Sequence, residues 1–395
     1  MKRTNCSACG HVELDTFLNL GESPIADAYT TTPDEPVQRY PLEVAVCAKC
    51  RLVQLLEVVD HDVLFGTGYS FYSSASPPLS AYHAAYARDV HARHPGLVAR
   101  GVLEVGCNDG DLLRHFSDVT AIGVDPAAGP AGVARHRGLE VLVRPFGLQA
   151  AHDIRDRRGR QGVVIANHVL AHVADVADVL AGVAALLQPD GIAMVEVQYL
   201  PDLLVNNAFD LVYHEHRNFF SLSSLEQAAL RHGLFVADAE LTDRQGGSLR
   251  VTFRTRLSPP PARVAEILRS ERWLNSFAAY DGMQGRAERV RARLWDVLAA
   301  ERAAGRLVAG YGAPAKATTL LAFCGIGRET IPWVVDTTAA KQGRHIPGTG
   351  IPIVAPNTAP HADTYLNLAW NYLRQIMRNN PGHRWIIPIP APVVL

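Results

Sequence analysis

Net charge is the first thing this chain lacks: 38 Lys and Arg stand against 39 Asp and Glu in 395 residues, a formal charge of -1. No global basic field exists to draw the chain onto nucleic acid or an anionic membrane, and neither is predicted as a partner. Also absent is any apolar run approaching the ~18–20 residues of a membrane-spanning helix. Met1-Lys2-Arg3-Thr4-Asn5-Cys6 passes straight into polar sequence, so no secretory signal is read and the chain is expected in the cytoplasm. Cysteine is scarce, six in all; in that compartment it points to metal ligation or buried thiols rather than disulfides. Methionine is scarcer, at four, whereas histidine reaches sixteen, more than packing needs. A polar site is implied. The length fits two or three domains of ~100–200 residues, and it carries no information on oligomeric state.

Four of the six cysteines form two pairs, Cys6-Ser-Ala-Cys9 and Cys47-Ala-Lys-Cys50. A C-x-x-C turn places two thiolates on one metal, and two such turns complete the tetrahedral sulfur shell that Zn²⁺ prefers. The stretch between the pairs exceeds the usual ~15–20 residues, so a hairpin or loop must run between them. With no open ligand position, the metal is expected to be structural. Two unrelated buried pairs, or a thioredoxin-like redox pair, are the alternatives, disfavoured because two matched pairs fall within the first 50 residues. Cys107 and Cys324 stand alone and read as small packing residues.

From Val102 to Met194 apolar runs alternate with helical stretches, the pattern of a doubly wound sheet. Gly101-Val-Leu-Glu104-Val-Gly106-Cys-Asn108-Asp109-Gly110 reads as a buried strand, Val102–Val105, a glycine turn and a helix. The glycines let backbone approach a ligand at the sheet's carboxyl edge. A second strand, Thr120–Asp125, ends in a carboxylate able to accept both hydroxyls of a ribose. The turn carries acids where a pyrophosphate cradle would not; acids suit a cationic sulfonium with an α-amino group. The segment resembles the class I S-adenosylmethionine methyltransferases. That resemblance implies cofactor contacts at Glu104, Gly106, Asn108, Asp109, Gly110, Asp125, Phe146 and Asn167. Gly162–His168 reads as the fourth strand, and Gly191–Val197 as the fifth, after a Gln188–Gly191 turn.

Polar residues crowd three further places: Asn167-His168-Val-Leu-Ala-His172 at the fourth strand's end, Asp210-Leu-Val-Tyr213-His214-Glu215-His216, and Tyr69-Ser-Phe-Tyr72-Ser-Ser74. H-E-H is not the i, i+4 spacing of a zinc hydrolase helix. Since an S-adenosylmethionine methyl is already electrophilic, an acceptor carbon must be made nucleophilic by proton removal next to a carbonyl. That requires a base of near-neutral pKa and donors for the enolate oxygen.

The paired C-x-x-C module, V-G-C-N-D-G and Y-H-E-H together resemble the sugar C-3 methyltransferases, which act on thymidine-diphosphate 4-keto deoxysugars in antibiotic pathways. The resemblance implies His216 as base, with Tyr213, Glu215 and His172 lining the sugar pocket; by their own chemistry Glu215 is expected to orient the His216 ring and Tyr213 to hold the enolate. His172 is the rival base or oxygen donor, and Tyr69 or Tyr72 lines the sugar pocket. His168 and His214 are read as substrate contacts.

Beyond the Pro259–Pro261 break, a helical segment over roughly Ala262–Ala304 leads to Gly305-Arg-Leu-Val-Ala-Gly310-Tyr-Gly312-Ala-Pro-Ala-Lys316, a strand, glycine turn and helix. Alone this suggests a dinucleotide site. The family has matching G-Y-G-A-x-A-K, K-Q-G-R and L-A-W-N segments, carried here by Lys316, Lys341, Arg344 and Leu368–Asn371. The resemblance makes this a Rossmann-like domain without nicotinamide that helps hold the nucleotide sugar. The expected architecture is α/β: a zinc-binding module at 1–65, a methyltransferase domain with a catalytic insertion at 66–255, and a C-terminal Rossmann-like domain at 256–395. Alternative readings are a methyltransferase on another keto or hydroxy acceptor, an NAD(P)-dependent oxidoreductase, and a non-enzymatic zinc-ribbon adaptor.

Overall fold

The structure is a computed structural model describing residues 1–65, 71–243 and 246–395. Its strands fall into three sheets. In the first, β1 (Leu14–Pro24), β2 (Arg39–Cys47) and β3 (Val53–Leu55) form an antiparallel meander between and beside the two cysteine pairs. This is the hairpin that the long spacing between the pairs requires.

The second sheet contains β4 (Val102–Val105), β5 (Ala121–Val124), β6 (Glu140–Leu142), β7 (Gln161–Asn167) and β8 (Leu187–Gln198), all parallel. The next strand, β9 (Asn218–Phe219), leaves this sheet and pairs with β3, so the segment following Tyr213–His216 becomes the fourth strand of the N-terminal meander. β10 (Phe235–Thr242) and β11 (Ser248–Arg254) complete the second sheet in the order β6-β5-β4-β7-β8-β11-β10, with β11 antiparallel to both neighbours. Strand order reverses between β4 and β7, which opens the ligand crevice at their carboxyl ends. Continuous apolar runs such as Val163-Val-Ile-Ala166 suit strands buried on both faces. Helix Pro77–Arg93 covers one face through Tyr86 and Val90. Helices Leu148–Arg158 and Val176–Leu186 cover the other, in a core that also takes in Cys6, Cys47 and Cys50.

The third sheet holds β12 (Val308–Tyr311), β13 (Val334–Val335), β14 (Ile353–Val354), β15 (Thr364–Asn367), β16 (Arg384–Ile387) and β17 (Val393–Val394). Their order, β14-β13-β12-β15-β16-β17, is parallel except for β17 and reverses between β12 and β15. A single core joins Leu18 and Val44 of the meander, Phe209 of the segment before Tyr213, and Leu294 and Leu320 of the C-terminal domain. Among the described residues no helix is long and apolar enough to cross a membrane.

Three local expectations are corrected. The Gln188–Gly191 turn is absorbed into β8, which starts at Leu187. The apolar stretch Ile331-Pro-Trp-Val-Val-Asp336, which reads as one strand in the sequence, is a strand only over Val334–Val335, because Pro332 has no N–H for the ladder. The helical segment is also divided, into helices Ala262–Ser270 and Met283–Ala303 with two short turns between.

Candidate active site and cysteine cluster

The two C-x-x-C turns have the same backbone geometry. Gly10 N–H donates to Cys6 O at 2.9 Å, and Arg51 N–H to Cys47 O at 3.0 Å; both donors lie in the left-handed region, at φ +72° and +60°. Arg51 holds that conformation without glycine's freedom, at a cost of ~1–2 kcal/mol. All four Sγ atoms lie within 4.8 Å of one another, with Cys6–Cys50 at 3.5 Å and Cys9–Cys47 at 3.6 Å. A tetrahedron of ~2.3 Å Zn–S bonds has sulfur–sulfur edges of ~3.8 Å, so the thiolates fit a structural Zn²⁺ closely.

At the β4–β7 crevice, Gly106 stands at φ +68°, where a Cβ would come within 2.5 Å of Val169 Cγ2. Asp125 accepts from Asn108 N–H and Ala127 N–H, each at 2.8 Å. The buried Glu104 carboxyl has an Oε2 with no partner, and Asn167 has an unpartnered buried Nδ2. Burial, then the Asp125 and Asp111 charges, raise the Glu104 pKa well above its usual range. These unpartnered atoms at the ends of β4 and β7 fit S-adenosylmethionine, whose amino and hydroxyl groups can bond to them.

Asn108 and Asp109 point elsewhere. Asn108 Oδ1 accepts from Ser73 N–H at 2.9 Å and its Nδ2 donates to Phe71 O at 3.1 Å. Asp109 is bonded to Ser74 and paired with Arg137 at 3.3 Å. Both side chains fasten the 71–74 segment onto the glycine turn and bring Tyr72 over Gly129. Tyr69 lies outside the described residues. Phe146 packs into the core beside Gly182.

The histidines converge. His216 and His172 have ring centroids 5.1 Å apart, and Tyr213 lies 4.0 Å from His216. His216 Nδ1 is 2.9 Å from Leu211 O, and His172 Nδ1 is 2.6 Å from Glu215 O. A carbonyl only accepts, so both Nδ1 atoms carry the proton. His216 Nε2 therefore presents its lone pair, and the Tyr213 hydroxyl donates to it at 2.8 Å. Burial lowers the His216 pKa to about 3, helped by His172, and burial lowers His172 to about 4. Both rings are held neutral, where near-neutral values were expected.

The orienting role expected of the Glu215 carboxylate is corrected. Leu211 O orients the His216 ring, while both Glu215 side-chain oxygens are buried without partners. Burial and the Asp27 charge raise its pKa to about 8. His214, fully buried, is held against Tyr40 O and Pro41 O at 3.2 and 3.3 Å.

His168, at φ +56° on the end of β7, meets Glu196 Oε1 at 3.3 Å. Glu196, one more acid within the fifth strand, has nothing in its sequence surroundings to mark it. Here it also accepts from Tyr82 and from Arg250 Nε–H at 2.9 Å. Against the pull of burial, His168 and Arg250 hold it down to about 2.

In the C-terminal domain the first crevice is repeated. Gly106 N–H donates to Val124 O and Gly312 N–H to Val335 O, both at 2.7 Å. Asp336 accepts from Ala313 N–H at 2.6 Å and Thr338 N–H at 2.7 Å, as Asp125 does from its own turn. Asn367, at the end of β15, is buried with both amide atoms unpartnered, matching Asn167 at the end of β7. Arg344 is exposed, and Lys341 Nζ donates to Ala313 O at 2.8 Å. Lys316 is buried: it donates to Asn371, stacks over Trp370 at 4.2 Å, and is lowered to about 8 by burial.

Residues 6–65 match a family of zinc binding domains, residues 80–238 a methyltransferase domain, and residues 243–390 the C-methyltransferase C-terminal domain. Together with the crevice and the cysteine cluster, these matches define an S-adenosylmethionine-dependent methyltransferase with a zinc module. The chain is 39% identical over 406 aligned residues to the C-methyltransferase NovU of Streptomyces niveus, covering 99% of this chain and 96% of that one. It belongs to that C-methyltransferase family. The ubiquinone biosynthesis O-methyltransferase of Azorhizobium caulinodans is 31% identical over 181 residues, 43% of this chain and 69% of its own. Magnesium protoporphyrin IX methyltransferase (ChlM) from Synechocystis PCC 6803, solved with bound SAH, is similar over 44% of this chain and 83% of its own, at 14% identity and TM-score 0.35.

Proposed function

We propose that this enzyme methylates C-3 of a nucleotide-linked 4-keto deoxysugar, with His216 as the base that removes the C-3 proton. One observation carries the reading: a neutral His216 with its proton fixed on Nδ1 and its Nε2 lone pair bonded to the Tyr213 hydroxyl at 2.8 Å. A methyltransferase acting on oxygen needs no such carbon-acid machinery, and the similarity to NovU over nearly the whole chain supports carbon as the acceptor.

Tyr213 turns its O–H from Nε2 to the C-4 oxygen when the ketone enters. The C-3 proton then moves to Nε2, and the C–H electron pair delocalises into the enolate, stabilised by the Tyr213 donor. S-adenosylmethionine, when bound, supplies the electrophilic methyl that the carbon takes up. His216, now protonated in a site that burial makes hostile to charge, returns its proton readily to solvent. His172 keeps its own lone pair on Nε2 and lies beside His216 to assist. The acid on β13's carboxyl side, Asp336, together with Asn367, Lys341 and Arg344, receives the nucleotide; Lys316 acts from behind that surface. A reaction in the cytoplasm, in the assembly of an antibiotic sugar, fits the same reading.

The test is solvent deuterium exchange at C-3 of thymidine-diphosphate 4-keto sugars, followed by mass spectrometry with S-adenosylhomocysteine present. Exchange by the native enzyme and its loss in His216→Asn, on the order of 10²–10⁴-fold, are expected. Unchanged exchange in His216→Asn would transfer the base role elsewhere, and loss in His172→Asn alone would reverse the two histidines.

A further inference from the structure

The short turn Phe209–Leu211 leads into Tyr213 and supplies the carbonyl that fixes the His216 tautomer. Both neighbours of Leu211 are held from the C-terminal domain. Asp210, fully buried, accepts from the Trp370 indole N–H at 2.6 Å. On the other side, Val212 O accepts from the Thr319 hydroxyl at 2.9 Å, also buried. Phe209 packs edge-on against Phe323, with centroids 5.2 Å apart. Trp370 is itself fixed between the Asp210 carboxylate and the Lys316 ammonium over its ring.

We propose that Asp210, Trp370 and Thr319 are positioning residues for His216: the C-terminal domain clamps the turn on both sides of Leu211, and the clamp keeps the proton on Nδ1 and the lone pair on Nε2. A hydrogen bond of 2.9 Å is lost if its acceptor moves by even ~1 Å, and a neutral imidazole without a fixed acceptor at Nδ1 is free to carry its proton on Nε2. In that tautomer Nε2 can donate to Tyr213 but can take no proton. A docked C-terminal domain therefore both offers a surface for the nucleotide and keeps the imidazole's lone pair on its working side. The kinetic consequence rests on the assignment of His216 as the base; the structural consequence does not.

Two conservative variants test this. Trp370→Phe keeps the ring and removes the N–H; Thr319→Val keeps the shape and removes the hydroxyl. In zinc-loaded, ¹⁵N-histidine-labelled enzyme with S-adenosylhomocysteine bound, the native His216 nitrogens should report the proton on Nδ1. Each variant should shift the proton toward Nε2, with a larger shift in the double variant. Methyl transfer and C-3 exchange should fall together on the order of 10–100-fold, by analogy with groups that orient a metal-bound imidazole from behind. Affinity for S-adenosylmethionine and zinc content should stay unchanged. Native nitrogen shifts and native turnover in the folded double variant would overturn the proposal. If the double variant does not fold, the same two measurements on Thr319→Val alone decide the matter in the same way. A moved tautomer with undiminished exchange would uphold the clamp and refute His216 as the base.

Discussion

Glu215 offers the sharpest test of the site's electrostatics. The residue is 4% exposed, neither carboxyl oxygen has a partner, and burial with the Asp27 charge raises its pKa to about 8. The native chain thus binds a proton on Glu215 more tightly than the unfolded chain, whose glutamate titrates near 4.5. Between those two values the native state holds more protons, so stability is fully present below pH 4.5 and declines as pH rises toward 8. Integrating the linkage gives a loss of ~2–3 kcal/mol between pH 6 and 9. Glu215→Gln substitutes a neutral amide of the same shape and removes that loss, while other titrating groups are common to both proteins. Urea unfolding of the two proteins at pH 6 and pH 9, with zinc present, measures it: the variant should gain ~2–3 kcal/mol on the native enzyme across that interval. Parallel stability curves would show that Glu215 is ionised at neutral pH, and the neutral-acid description of the site would fail.

One zinc per chain is expected by metal analysis, and Cys47→Ser should lose it; a folded, fully metallated Cys47→Ser would refute the four-thiolate site. Asp125→Ala removes a charge-assisted acceptor worth ~1.5–3 kcal/mol. Calorimetry should show S-adenosylmethionine bound at least ~10-fold more weakly, and an unchanged dissociation constant would take Asp125 out of the ribose site.

What the sequence made legible was chiefly local. A C-x-x-C pair shows its chemistry in four residues, and Val102–Val105 was readable to the residue because V-L-E-V, apolar but for Glu104, runs straight into the glycine turn. The glycine turn and Asp125 followed from adjacency along the chain. What escaped was contact between distant residues. Nothing near Asn108 or Asp109 tells that their side chains reach back to Phe71–Ser74. The Glu215 carboxylate next to His216 invited a role that the Leu211 carbonyl, five residues away, performs. Lys316 reads as a nucleotide-sugar contact in its family segment, yet Trp370 and Asn371 close over it. Asp336 is legible as the acid ending the strand after a second glycine turn, but the match of Asn367 to Asn167 shows only once the sheets are in view.

The two-residue strand Asn218–Phe219 has a practical consequence. It pairs with β3, and Asn218 faces the Ser7 hydroxyl at 2.8 Å within the first cysteine turn while its amide donates to Leu170 O and Val173 O at 3.0 and 2.9 Å. The metal knuckle, the loop bearing His172 and the stretch just after His216 are thus tied at one side chain. Stripping the ion would slacken all three at once. A chelator is then expected to inhibit the enzyme by loosening the ground under its histidines, as the removal of a keystone loosens an arch.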